Sequence, residues 1–191
     1  FAARHRIAHA YNDPDKIFND PEIDIVYIAT PPSSHASLAI RAAAAGKPAY
    51  VEKPMATTYQ ECIQMIEAFE KARLPLFVAY YRRTLPNFLR IREWIEKGYI
   101  GEVRLVKIDM FKTPVPANVA ILEDNWRVNP SIAGGGYFYD LASHQFDFLD
   151  FLFGPIEEAA GIAANQAGLY EAEDIVSASF RFKNGIMGSG S

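Results

Sequence analysis

Between residues 23 and 35 the chain reads Ile23-Asp24-Ile25-Val26-Tyr27-Ile28-Ala29-Thr30-Pro31-Pro32-Ser33-Ser34-His35. The β-branched apolar run from Ile23 to Thr30 reads as a strand buried on both faces, and Pro31-Pro32 takes it abruptly out of its sheet. Ser33 or Ser34 then caps a helix from about His35 to Ala45, which stops at Gly46 with Pro48 just beyond. A short strand follows at Ala49-Tyr50-Val51-Glu52 and is broken by Pro54. Thr58-Tyr59-Gln60-Glu61 has the pattern of a capping box and opens a helix running to about Arg73, with Ile63, Ile66 and Phe69 at helical spacing. Leu76 to Tyr80 is another short buried strand. Strand, helix, strand, helix, strand implies right-handed parallel crossovers, hence a piece of an open α/β sheet of Rossmann type.

Beyond Arg83 the pattern changes, so we divide the chain into 1–83 and 84–191. A helix from about Leu85 to Lys97 ends at Gly98, and Val103 to Phe111 is a strand with Val106, Ile108 and Met110 on one face. The stretch from Lys112 to Gly136, which includes Pro114 and Pro116, reads as a long substrate-facing loop. From Asp174 to Phe182 the residues alternate, with Val176, Ala178, Phe180 and Phe182 on one side and Ser177, Ser179 and Arg181 on the other. Asn184-Gly185 supplies a hairpin turn. The second half is therefore an α+β domain with a largely antiparallel open sheet.

Composition excludes several classes. The 191 residues carry a formal charge of -4, with 50% apolar and 22% charged side chains, which is ordinary for a globular protein and gives no basic surface for nucleic acid. Apolar runs such as Ile25 to Ala29 are far short of the ~20 residues that span a bilayer. One cysteine, Cys62, forms no internal disulfide, and no Cys or His cluster has zinc-ligand spacing. These features point to a cytoplasmic, metal-free protein.

Three constellations carry chemistry. Gly134-Gly135-Gly136 precedes Asp140 and His144, which stand four apart and share one helix face. A histidine paired with a carboxylate is suited to take a proton from a hydroxyl; the spacing alone equally fits an acidic helix start followed by a satisfied core histidine. Glu52-Lys53-Pro54 lies where a strand leaves its sheet at the carboxyl end, the edge at which open α/β sheets bind ligands. Lys53 there can stabilise a developing alkoxide, or be a solvated lysine on a tight turn. Thr30 to His35 forms a second turn at that edge, offering helix N–H groups to an anion or ribose oxygen. Trp126-Arg127 and Arg82-Arg83 suit sugar or carboxylate binding, and loop anchors have the same form.

Taken together, Pro31 with His35, the Gly46-Lys47-Pro48 turn, Glu52-Lys53-Pro54, Arg82-Arg83, Gly98-Tyr99-Ile100-Gly101, Trp126-Arg127 and the glycines with Asp140 and His144 resemble the glucose-fructose oxidoreductase, inositol dehydrogenase and MocA (Gfo/Idh/MocA) family. The resemblance runs from about residue 20 to Pro155. It implies a Rossmann domain joined to an α/β domain with a large open sheet, and oxidation or reduction of sugars, polyols and related alcohols with NAD or NADP. It places Lys53, Asp140 and His144 on catalytic positions. It also implies cofactor contacts from Thr30, Pro31, His35, Glu52, Lys53, Pro54 and Arg82, and substrate contacts from Trp126 and Arg127 together with Lys53, Asp140 and His144. Homodimers or homotetramers formed through the second-domain sheet are the implied assembly.

The sequence departs from the family pattern at one point. The Gly-x-Gly-x-x-Gly turn that cradles the pyrophosphate is not in it, nor is the residue after the second strand that separates NAD from NADP. With its opening at Phe1-Ala2-Ala3-Arg4, which reads as the tail of a helix, and its close inside a returning strand, the chain is expected to be a fragment. The readings at this point are an oxidoreductase, with a non-catalytic sugar or cofactor sensor or an inactive truncated fragment as the alternative.

Overall fold

Three short parallel strands organise the first half. The fold is that of a computed structural model describing residues 1–113 and 125–191, and it divides into two compact units, Phe1–Ala79 and Tyr80–Ser191. The first unit runs α1 (Pro14–Phe18), β1 (Val26–Ile28), a 3-10 turn (Pro32–Ser34), α2 (His35–Ala44), β2 (Ala49–Val51), α3 (Tyr59–Ala72) and β3 (Leu76–Val78). The strands lie in the order β1-β2-β3, with Val26 opposite Ala49 and Ala49 opposite Leu76. Val26, Ile28, Ala49 and Val51 form a core with Ala36, Ala39, Ala42 and Ala43 of α2 and with Met65 and Phe69 of α3. The run of alanines lets α2 lie close on the sheet. Burial of Met65 and Phe69 contributes ~1.5–3 kcal/mol each.

The opposite face corrects the expectation of a strand buried on both sides. Tyr27 is 56% exposed and Phe77 49%, in register through Tyr50. Successive right-handed crossovers in one direction bring α2 and α3 to the same side of the sheet, which leaves the aromatic row uncovered by them.

Local signals set the helix ends. Thr58 Oγ1 accepts the Glu61 N–H at 3.2 Å, and a Glu61 carboxylate oxygen accepts the Thr58 N–H at 3.1 Å, so the capping box forms. Gly46 takes φ +77°, the left-handed value that ends α2. The Ser34 cap does not form: its hydroxyl meets Thr30 Oγ1 at 2.6 Å and the Pro31 carbonyl at 2.9 Å. The 3-10 turn directly before α2 places Ser34 in helical backbone, out of cap geometry. The five-residue α1 is too short for periodicity to reveal; Asp13 caps it and Phe18 anchors it in the core.

The second unit holds a 3-10 turn (Tyr81–Thr84), α4 (Pro86–Glu96), β4 (Leu105–Ile108), a 3-10 turn (Trp126–Val128), α5 (Pro130–Ala133), α6 (Tyr137–Phe153), β5 (Ile156–Ala164), β6 (Ile175–Phe182) and β7 (Met187–Gly190). Its sheet has the order β4-β7-β6-β5, parallel at β4-β7 and antiparallel elsewhere. Phe180 and Phe182 of β6 pack with Leu149, Phe146 and Phe153 of α6 and with Val106 and Ile108 of β4. Gly188 makes this possible, because a Cβ there would come within 2.0 Å of the Phe180 ring. On the other face Ile162, Leu105 and Met187 are exposed. At the hairpin, Gly185 takes φ +91° and the Phe182 N–H reaches the Ile186 carbonyl at 2.9 Å.

The stretch expected to be a loop contains order at its end. Asn125 and Asn129 side chains accept the N–H groups of Arg127 at 3.3 Å and Ser131 at 3.0 Å, starting the 3-10 turn and α5. Pro114 and Pro116 lie outside the described residues. Among the described residues no helix is long and apolar enough to cross a membrane.

Candidate active site

The carboxyl ends of β1 and β2 carry the first group of side chains. Because the strands are parallel, the turns after Ile28 and Val51 emerge at one edge, and His35 joins them. Its ring is completely buried, with Nδ1 3.0 Å from the Pro54 carbonyl and Nε2 2.7 Å from the Thr30 carbonyl. Thr30 and Pro31 are exposed, Glu52 and Lys53 half-buried and Pro54 buried. The peptide between Lys53 and Pro54 is cis. One Glu52 carboxylate oxygen accepts the Lys53 N–H at 3.1 Å, and the other accepts the Tyr27 hydroxyl. That hydrogen bond is the main reason the Tyr27 phenol is pushed up to about 12. Thr30, Pro31, His35, Glu52, Lys53 and Pro54 are thus gathered at one edge.

The second group stands on and beside α6. Asp140 lies in the first turn of the helix and His144 one turn later, so 3.6-residue periodicity puts them on one face. His144 is 6% exposed. Tyr81 meets its ring edge-on at 5.1 Å between centroids and Tyr80 at 6.1 Å. Arg127 Nε stands 3.7 Å from Asp140 Oδ2, and the Arg127 guanidinium lies 4.3 Å from the centroid of the Trp126 ring. Trp126, Arg127 and Asp140 therefore stand together, with His144 one turn further along α6.

Two anchors hold this helix. Glu173 accepts the Gly136 N–H at 2.8 Å, placing a carboxylate at the positive end of α6. A Cβ at Gly136 would meet the Glu173 carbonyl oxygen at 2.4 Å, so this close approach requires glycine. Arg83 grips Asp147 with Nε 2.9 Å and 3.0 Å from its two oxygens, and Nη2 is 3.3 Å from Asp150. The Asp147 hydrogen bond and charge raise the Arg83 pKa further above its already high ordinary value. Arg82 donates to Gln145 Oε1 at 3.0 Å and lies over the Phe88 ring, so both arginines tie the 81–84 turn to its own unit.

Tyr80, Tyr81 and Glu173 are the residues that sequence reasoning did not single out. Tyr80-Tyr81 directly precede Arg82-Arg83, yet nothing local connects them with a residue more than sixty positions later. Glu173 sits in an irregular segment between strands, where periodicity carries no signal.

Exposed Thr30 and Pro31 stand with half-buried Glu52 and Lys53 at the carboxyl edge of the strands, where open α/β sheets bind ligands. Residues 1–80 match the profile described as oxidoreductase family, NAD-binding Rossmann fold, and residues 88–191 match the GFO/IDH/MocA C-terminal domain. An oxidoreductase of Formosa agariphila is 38% identical over 190 residues, covering 100% of this chain and 59% of the relative. Myo-inositol 2-dehydrogenase of Thermotoga maritima is 31% identical over 189 residues, covering 95% of this chain and 53% of the relative. The chain thus spans little more than half the length of these relatives. Among solved structures, levoglucosan dehydrogenase in complex with NADH and levoglucosan superposes with TM-score 0.87 at 32% identity, covering 99% of this chain and 52% of that one. The WlbA dehydrogenase of Bordetella pertussis, in complex with NADH and UDP-GlcNAcA, gives TM-score 0.86 at 32% identity, covering 98% and 54%. With both profiles matched in order along the sequence, the chain belongs to the GFO/IDH/MocA oxidoreductase family.

Proposed function

We propose that the protein to which this chain belongs is an NAD(P)-dependent oxidoreductase acting on a secondary alcohol of a sugar, polyol or related small molecule. The observation that carries the reading is the placement of Asp140 and His144 one turn apart on α6, with Arg127 and Trp126 beside them. The family's profile and its sugar- and polyol-processing relatives support it. When bound, the dinucleotide supplies the hydride acceptor at its nicotinamide ring. Thr30, Pro31, Glu52 and Lys53 would hold that end of it.

The chain's own residues do the proton chemistry. His144 takes the hydroxyl proton of the alcohol at an imidazole nitrogen as its carbon–hydrogen bond breaks. Asp140, one turn earlier on the same face of α6, orients His144. The Lys53 ammonium stabilises the negative charge developing on the alcohol oxygen. Trp126 offers an apolar face to a sugar ring and Arg127 a guanidinium to its hydroxyls. The His35 ring has both nitrogens against backbone carbonyls, so it also holds the turns that carry Thr30 and Lys53.

The exposed Leu105, Ile162 and Met187 on the second sheet give a second copy apolar side chains to cover, in a homodimer or homotetramer. A cytoplasmic location is part of the same reading.

The reading is tested by incubating the full-length protein with NAD or NADP and a panel of sugars and polyols. Reduced nicotinamide forming with at least one alcohol is expected. No turnover across the panel, with dinucleotide binding intact, contradicts the reading and favours a sensor.

A further inference from the structure

We propose that His35 is a positioning residue for Lys53: its buried ring ties the turn that carries Lys53 to the turn after β1 and so fixes where the ammonium acts. The inference rests on the role given to Lys53 above. The Pro54 carbonyl, one residue beyond Lys53, is 3.0 Å from Nδ1, and the Thr30 carbonyl is 2.7 Å from Nε2. Carbonyl oxygens only accept, so the ring is the donor; a neutral imidazole donates from one nitrogen and an imidazolium from both. The two carbonyls belong to turns leaving different strands, and a ring clamped between them sets their separation.

A purely apolar filler of this space would leave at least one of these carbonyls without the ring's donor, at the cost of an unsatisfied buried group. The hold on Lys53 is two-sided, since Glu52 takes the Lys53 N–H at 3.1 Å while its other oxygen takes the Tyr27 hydroxyl. His35 fixes the far side of the same turn. The pair of contacts explains why a histidine sits at the first position of α2, where its ring turns inward rather than to solvent.

The test is a double-mutant cycle on the full-length protein, read in kcat and KM, with hydrogen exchange of the Lys53 amide measured without cofactor. Lys53→Ala is expected to lower kcat by ~10²-fold or more. His35→Ala is expected to lower kcat by ~10-fold or more with a smaller change in substrate KM, to speed exchange at Lys53, and to change kcat less than ~2-fold when Lys53 is already alanine. His35→Asn, which keeps one donor, carries the same comparison where the alanine variant does not fold. An equal kcat loss in both backgrounds, or unchanged Lys53 exchange, overturns the role of His35 and leaves that of Lys53 standing. A Lys53→Ala enzyme with undiminished kcat overturns the reading of Lys53 and this proposal with it.

Discussion

Arg127 Nε stands 3.7 Å from Oδ2 of Asp140, joining the turn before α5 to the first turn of α6 at a single carboxylate. The Arg127 side chain is 49% exposed, so the pair itself contributes only ~0–1 kcal/mol. In the proposed function it holds a guanidinium for a hydroxylated ligand. Arg127→Ala is therefore expected to raise substrate KM by about 10-fold, with a smaller change in kcat and little change in melting temperature. Steady-state kinetics and a thermal scan of the full-length protein check this.

The Arg83–Asp147 pair differs because the Asp147 side chain is only 8% exposed. Removing the arginine leaves a buried carboxylate without its two-pronged partner. Breaking a fully buried pair costs ~3–5 kcal/mol; the 38% exposure of Arg83 reduces the expected loss for Arg83→Ala to about 2 kcal/mol. Arg83→Lys restores only part of it, because an ammonium does not present the planar fork. Urea unfolding of the three proteins measures the differences.

Asp174 gives a pH dependence with a definite sign. Its carboxylate accepts the N–H groups of Gln166 at 2.8 Å and Ala167 at 2.7 Å, and these bonds hold its pKa below the ordinary 3.8. The folded value lies below the unfolded one, so the contribution is complete above the unfolded value and is lost as pH falls through the folded value. Protection of the Gln166 and Ala167 amides is expected to fall in the native protein only as pH drops below 3.8, through the lowered value of Asp174. In Asp174→Asn that pH-linked loss disappears. Hydrogen-exchange protection factors, corrected for intrinsic rates, provide the measurement.

Gly136 is a test of helix placement. A Cβ there would meet the Glu173 carbonyl at 2.4 Å, so Gly136→Ala forces the start of α6 away from its anchor. A loss of ~1–3 kcal/mol is expected, as for other overpacked sites, together with reduced kcat because Asp140 and His144 ride on that helix. Gly185→Ala, far from α6 in sequence and at a positive φ of its own, is expected to destabilise without a comparable loss of kcat in the folded fraction. Kinetics normalised to folded protein separate the two.

Much of this architecture was legible because its causes are local. Thr58 and Glu61 cap each other three residues apart, the alternation of Val176 to Phe182 matches a sheet with one covered face, and Gly185 supplies the turn backbone. The position of Asp140 and His144 on one helix followed from spacing. The strand β5 was not visible, since Glu157-Glu158-Ala159-Ala160 favours helix; the neighbouring β6 and Gly161, whose Cβ would meet the Ser177 carbonyl at 2.8 Å, impose the extended form. The inward turn of His35 and the Tyr81 contact with His144 are tertiary facts, and sequence spacing does not encode them. The exposed Tyr27 face shows the same limit: an apolar run states that a residue can be buried, not which face its neighbours cover.

The central claim is that His144 takes the proton from the alcohol, and turnover by His144→Ala in the full-length protein tests it most directly. A kcat lower by ~10²–10⁴ with nearly unchanged cofactor affinity is the predicted result. Undiminished kcat on the alcohol that the native enzyme oxidises would contradict it.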